Sequence, residues 1–293
     1  MLSLVCFLVG GLLGWGAAQG GPTIERVWPV VLRVQILVTS ATLSFAAAWR
    51  LTSAGELVGP LALAGGMWLM LAVSLVIRGR QSRGDAALEA WAVSPNSGFW
   101  VVPTAAAFAG SAGAMIAVLA NVITSIWGGV CVHLMRRDAP VRQRHATSWV
   151  DQSPVLASVV GLLLHLVGTA PGWTADVLTL AGPLLAFSGA ALFTGSVIHP
   201  HNLSVPRPDH AIRRWAWLTV IRVVYFLVVT LVAVLSGSTA LAVVAVLTAL
   251  SAPSFQPIQL AVLYGYRSEV VVAAVRWGWL LAPLGLGAAA LIR

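Results

Sequence analysis

AWAVSPNSGFWVVPTAAAFAG, residues 90–110, and VLTALSAPSFQPIQLAVLYGY, residues 246–266, decide how this chain folds. Each is apolar enough for a membrane, and each is interrupted by two prolines, Pro95 and Pro103 in the first and Pro253 and Pro257 in the second. Proline removes an amide donor and clashes with the preceding turn, so neither stretch reads as an unbroken helix. Around the prolines lie Asn96, Ser97 and Gly98 in one segment, and Ser254 and Gln256 in the other. Backbone groups freed at such breaks do not face hydrocarbon; they pack within protein or line a polar cavity. One interrupted segment would read as well as a simple kink. Two, at matching places in the chain, favour the cavity.

The rest of the chain supplies the membrane context. It is 59% hydrophobic and 9% charged over 293 residues, with a mean hydropathy of +0.90. So few charges cannot cover so many apolar side chains in water, whereas a bilayer removes the need. The apolar runs predict spans at 2–18, 27–48, 57–77, 90–109, 112–134, 152–169, 173–197, 212–235, 238–262 and 270–290. Residues 1–20 contain no basic stretch and no convincing processing site, so the first span is expected to be retained.

Arginine placement orients the spans. All 17 basic residues are Arg, a compositional habit that fits a GC-rich bacterial source. Arg26, Arg78, Arg80, Arg83, Arg136, Arg137, Arg142, Arg144, Arg207, Arg213, Arg214 and Arg267 fall in the odd-numbered loops. Only Arg50 and Arg293 fall on the opposite side, which predicts odd loops in the cytoplasm and both termini extracellular or periplasmic. This placement, and not nucleic-acid affinity, accounts for the sequence pI near 11.2. The longest basic loop divides the spans five and five. The expected organisation is a first five-helix repeat over 1–135, a cytoplasmic linker over 136–151 and a second repeat over 152–293. An odd number of spans per half gives the halves opposite orientations, the arrangement of inverted-repeat transporters. The fold class expected is an all-α integral membrane protein of ten transmembrane helices in two inverted repeats, with helices four and nine interrupted.

The same pattern gives candidate binding residues. No Asp or Glu lies centrally in the predicted spans, which disfavours a mechanism built on a buried carboxylate. Arg33, Arg222 and Arg276 are the cations within or nearest to apolar segments. Arg33 and Arg276 lie close enough to span ends to snorkel. Arg222 is more interior, and a mid-membrane Arg faces protein, water or an anion. Half-helix N-termini near Asn96 and Gln256 would attract a carboxylate through amides and aligned dipoles. Asn96, Asn121, Gln256 and Gln259 would add neutral hydrogen bonds, with Ser97, Gly98 and Ser254 beside them. Trp15, Trp28, Trp49, Trp91, Trp149, Trp173 and Trp215, near span ends, read as interfacial anchors. Cys6 and Cys131 read as packing residues.

SPNSGFWVVP at 94–103 and SAPSFQPIQLAVLYGYRSEVVVAAV at 251–275 resemble the auxin efflux carrier family of membrane transport proteins, in a bacterial member. The family's Asn-small-Gly-Phe element leading to Pro falls on Asn96, Ser97, Gly98, Phe99 and Pro103. Its late Pro and following Tyr-Gly fall on Pro253, Tyr264 and Gly265. The chain departs from the pattern at Trp100 and Val101. The resemblance implies that helices four and nine cross at their interruptions. It also implies a permease for a carboxylate such as malate or a related acid.

The function expected is therefore secondary transport of a small organic anion across the cytoplasmic membrane, by alternating access. The partners expected are that anion and membrane lipid, with a homodimer open and nucleic acid excluded; no cofactor and no metal are expected. Two other classes stay open. A membrane enzyme would draw on His199, His201, Asp209 and His210, which have no recognised metal spacing. A sensor or scaffold would need an output element from a partner.

Overall fold

The structure, a computed structural model, describes residues 2–18, 38, 41–51, 53–78, 83–138, 153–180, 183–184, 191, 209–251, 254, 274 and 277–293. The regular elements among these residues are helical. They are α1 Leu2–Ala18, α2 Ala41–Trp49, α3 Val58–Arg78, α4 Arg83–Val93, α5 Val102–Asp138 and α6 Ser153–Val167. There follow α7 (173–180), α8 Asp209–Leu235, α9 Thr239–Ala249 and α10 Ala282–Ile292. Three stretches among the described residues are long and apolar enough to cross a membrane: Gly55–Arg78, Val102–Met135 and Ile212–Leu235. Two-thirds of the last of these is unburied, and its outward residues are apolar, as lipid requires. The chain is an all-helical, multi-pass membrane protein.

The fourth predicted span differs from expectation at its start. Its helix begins at Arg83, not residue 90, so Glu89 and Trp91 lie inside α4. Hydropathy ended the span early because Arg83, Asp85 and Glu89 are polar. In the fold, Glu89 is 2% exposed and bonded to Arg78 and Arg214, which removes most of the cost of its burial. Trp91 is likewise no interfacial anchor: it is buried edge-on against Trp127 at 5.5 Å between ring centres. Beyond α4 the helix breaks over Ser94–Asn96, resumes as a wide turn over Ser97–Val101 and continues into α5. At 37 residues, an unbroken α5 would measure about 55 Å, too long for a bilayer of about 30 Å. Gly110 divides it, with φ 62° and ψ −152°, a backbone conformation that side-chain-bearing residues avoid. The predicted boundary between the fourth and fifth spans falls at this kink.

Small residues let helices approach closely. A Cβ on Gly161 of α6 would lie 2.5 Å from the Phe45 carbonyl oxygen of α2. One on Gly14 of α1 would lie 2.2 Å from the carbonyl oxygen of Ala191. Both are backbone-to-backbone contacts of the kind that replaces hydrophobic driving force within lipid. Helix α4 packs against α3, α5 and α8, and α9 packs against α5, α8 and α10.

The two ends of the bundle are chemically distinct. At one end Arg78, Glu89 and Arg214 meet, joining α3, α4 and α8. At another end of these helices, the Trp49 indole donates to the Gly168 carbonyl at 3.2 Å, and Arg50 donates to Thr174 Oγ1 at 3.1 Å. Trp49 also packs edge-on against Trp173, an arrangement suited to an interface.

Candidate functional site at a helix crossing

The break after α4 and the end of α9 meet directly. The Ser254 amide donates to the Ser94 carbonyl at 3.1 Å. Each break leaves carbonyls at a helix C-terminus without intrahelical donors, and these carry the negative end of the helix dipole. Arg222, halfway along α8, supplies the missing donors. Its Nη1 donates to the Val93 carbonyl at 2.8 Å and its Nη2 to the Ser251 carbonyl at 3.4 Å. One guanidinium thus bonds to the C-terminal ends of both half-helices.

This cation is 2% exposed, and no carboxylate among the described residues pairs with it. Its Nε has no partner, and neither do two buried hydroxyls nearby, Ser251 Oγ and Thr219 Oγ1. Thr219 is one helical turn before Arg222 on the same side of α8, and Ser251 carries a carbonyl that Arg222 binds. Buried polar atoms normally have partners, so this group can hold a polar guest. Other membrane threonines here satisfy themselves locally: Thr124, Thr230 and Thr248 each donate to the carbonyl four residues earlier. Thr219 does not.

The first predicted binding residues stand on the other side of the break. Asn96 is buried, and its carbonyl accepts both the Trp100 and Val101 amides at 3.0 Å. The Ser97 amide donates to the Pro95 carbonyl at 2.9 Å. Three amides that open the second half-helix are therefore already engaged, which narrows the amide surface expected there for a carboxylate. Gly98 brings this turn against α5: a Cβ there would lie 3.9 Å from both polar atoms of the Asn121 side chain. Ser254 is buried at the crossing itself.

Asn96, Ser97, Gly98, Asn121, Arg222 and Ser254 thus belong to described elements, with Arg222 and Ser254 joined at the crossing. Pro95 and Pro103 flank the first interruption, and Pro103 sits at the second position of α5, where a missing amide is tolerated. Pro253, Pro257, Gln256 and Gln259 lie outside the described residues, as do Tyr264, Gly265, Arg33, Arg276, His199 and His201. Sequence reasoning missed Ser251 and Thr219, although Ser251 opens the second proline element and Thr219 lies three residues from Arg222. Glu89 was missed for a different reason, its neutralisation by distant arginines. Among the described residues, no three His, Cys, Asp or Glu side chains gather as a metal site.

Compared with known proteins, the chain matches no protein-family model and none of the curated sequences. The class it belongs to is set by its own architecture, an all-helical, multi-pass membrane protein with three long apolar helices.

Proposed function

We propose that this protein is a secondary transporter that moves a small organic anion, a carboxylate such as malate or a related acid, across the cytoplasmic membrane by alternating access. The observation that carries the proposal is the Arg222 site: a buried cation without a carboxylate, beside unpartnered hydroxyls, where two broken helices cross. An isolated cation in a low-dielectric interior is costly, and an anion that enters would offset that cost. Backbone breaks at membrane depth are a feature of transporter binding sites. Asn96, Asn121, Gln256 and Gln259 would then orient the anion.

The inverted-repeat organisation over 1–135 and 152–293, linked through 136–151, is part of this reading, as is the resemblance to auxin efflux carriers. Two observations support the repeat. The half-helices α4 and α9, on which the breaks fall, each contain 11 residues. The Gly14–Ala191 and Gly161–Phe45 approaches pair equivalent positions: Gly161 follows Gly14 by the same interval, to within one residue, as Ala191 follows Phe45. Topology follows the same reading. Arg78 and Arg214, from odd loops, meet at one end, while Trp49 and Arg50 meet Gly168 and Thr174, from even loops, at another. The basic end would face the cytoplasm, and both termini would face outward.

The test is uptake into proteoliposomes from a panel of dicarboxylates, monocarboxylates and indole acids, with pH and sodium gradients imposed separately. Saturable uptake of a carboxylate, lost in Asn96→Ala, is the expected result. Monodisperse, helical protein that moves none of the panel under either gradient would overturn the proposal.

A further inference from the structure

A cavity of about 250 Å³ opens between α3, α4 and α8 at the basic end, away from the crossing. Its walls include Ile77, Glu89, Arg213, Arg214 and Trp217. Charge around it does not balance. Arg214 is 3.3 Å from Glu89, and Arg78 holds Glu89 and Asp85, the latter at 3.8 Å. These two carboxylates leave the exposed Arg213 without an ion pair among the described residues. The walls are otherwise apolar, and Trp217 is 60% exposed at the rim.

From this rim a lipid-facing track runs down α8. Arg213, Trp217, Val220, Val224, Leu227 and Leu231 follow one another at intervals of three and four, and all are exposed. Such intervals place them on one face of the helix. From Arg213 to Val224 the track covers about 16 Å, close to the depth of one leaflet. A guanidinium, an indole and then branched apolar side chains match a phospholipid read from headgroup to acyl chain.

We propose that this cavity binds the headgroup of an anionic phospholipid, with Arg213 on the phosphate, Trp217 at the glycerol level and the α8 track against an acyl chain. A soluble anion could use Arg213 but would leave the apolar track uncovered. The inference needs only that α8 spans the membrane, and it stands or falls apart from the transport reading.

Native mass spectrometry of the intact detergent-solubilised protein tests it, with equimolar phosphatidylglycerol and phosphatidylcholine of matched acyl chains as probes. Wild-type protein should retain phosphatidylglycerol in preference. Arg213→Gln should lower that preference about fivefold, the effect of one basic residue facing an anionic lipid. Trp217→Ala should weaken retention of both lipids, while Arg137→Gln, at an exposed basic position on α5, should change nothing. Equal retention of the two lipids by the wild type would overturn the proposal. So would an Arg137→Gln effect as large as that of Arg213→Gln, or displacement of the lipid by equimolar inorganic phosphate.

Discussion

Two arginine sites on α8, about 12 Å apart along its axis, solve the same electrostatic problem in different ways. At the basic end, Arg214 shares Glu89 with Arg78, and the acid is 2% exposed. A fixed carboxylate there neutralises fixed cations and ties α3, α4 and α8 together. At the crossing, Arg222 is equally buried but faces only carbonyls, those of Val93 and Ser251. Helix C-terminal carbonyls carry about half an elementary charge in sum, so they orient a cation without cancelling it. The first site is complete as built and reads as structural. The second retains positive charge at mid-membrane, where a mobile anion would complete it.

Exchanging each charge for a neutral amide separates these roles most sharply. Arg222→Gln should reduce carboxylate uptake by about 100-fold, the worth of roughly 3 kcal/mol of charge-assisted hydrogen bonding. Glu89→Gln should leave initial uptake rates within about threefold of wild type once reconstituted protein is normalised, since amide exchange there alters a tie and not the guest's partner. Initial-rate uptake in proteoliposomes measures both. If Glu89→Gln abolished uptake while its thermal stability stayed at the wild-type level, the division between the sites would break.

Stability should move in the other direction. Glu89→Gln leaves Arg78 and Arg214 facing each other without their acid. Both guanidiniums are partly exposed, so the loss should be about 1–3 kcal/mol, at or below the range for breaking a buried pair. Thermal unfolding in detergent measures this as a lower midpoint. The double variant Glu89→Gln with Arg214→Gln should recover part of the loss, because it removes one of the unpaired cations.

The same contrast explains what the sequence could reveal. Proline has a local effect on the backbone, so both interruptions were legible from Pro95, Pro103, Pro253 and Pro257 alone. Arg222 was legible because one charge stands out in an apolar run. Its partners were not, since they are backbone carbonyls of segments far along the chain. Glu89 and Trp91 were misplaced because hydropathy assigns each side chain its isolated cost, while Arg78, Arg214 and Trp127 change that cost only in the folded state. Ser251 and Thr219 were illegible for the opposite reason. A membrane hydroxyl ordinarily bonds to its own helix, as at Thr230 and Thr248, and nothing in sequence marks the one that does not.

Those hydroxyls offer the finest test of the comparison. Ser251 Oγ and Thr219 Oγ1 have no partner, so removing them should cost the empty protein nothing and relieve the burial of an unbonded polar atom. Ser251→Ala and Thr219→Val should therefore keep or raise the thermal midpoint without substrate, by up to about 1 kcal/mol. With substrate, each should raise the concentration for half-maximal uptake by about three- to tenfold, the loss of one hydrogen bond to the guest. A hydroxyl held only by packing would change neither quantity, and one serving the fold would lower the midpoint. Stability gained by the empty protein together with affinity lost for the anion is the combination that only a binding site left open for its ligand would give.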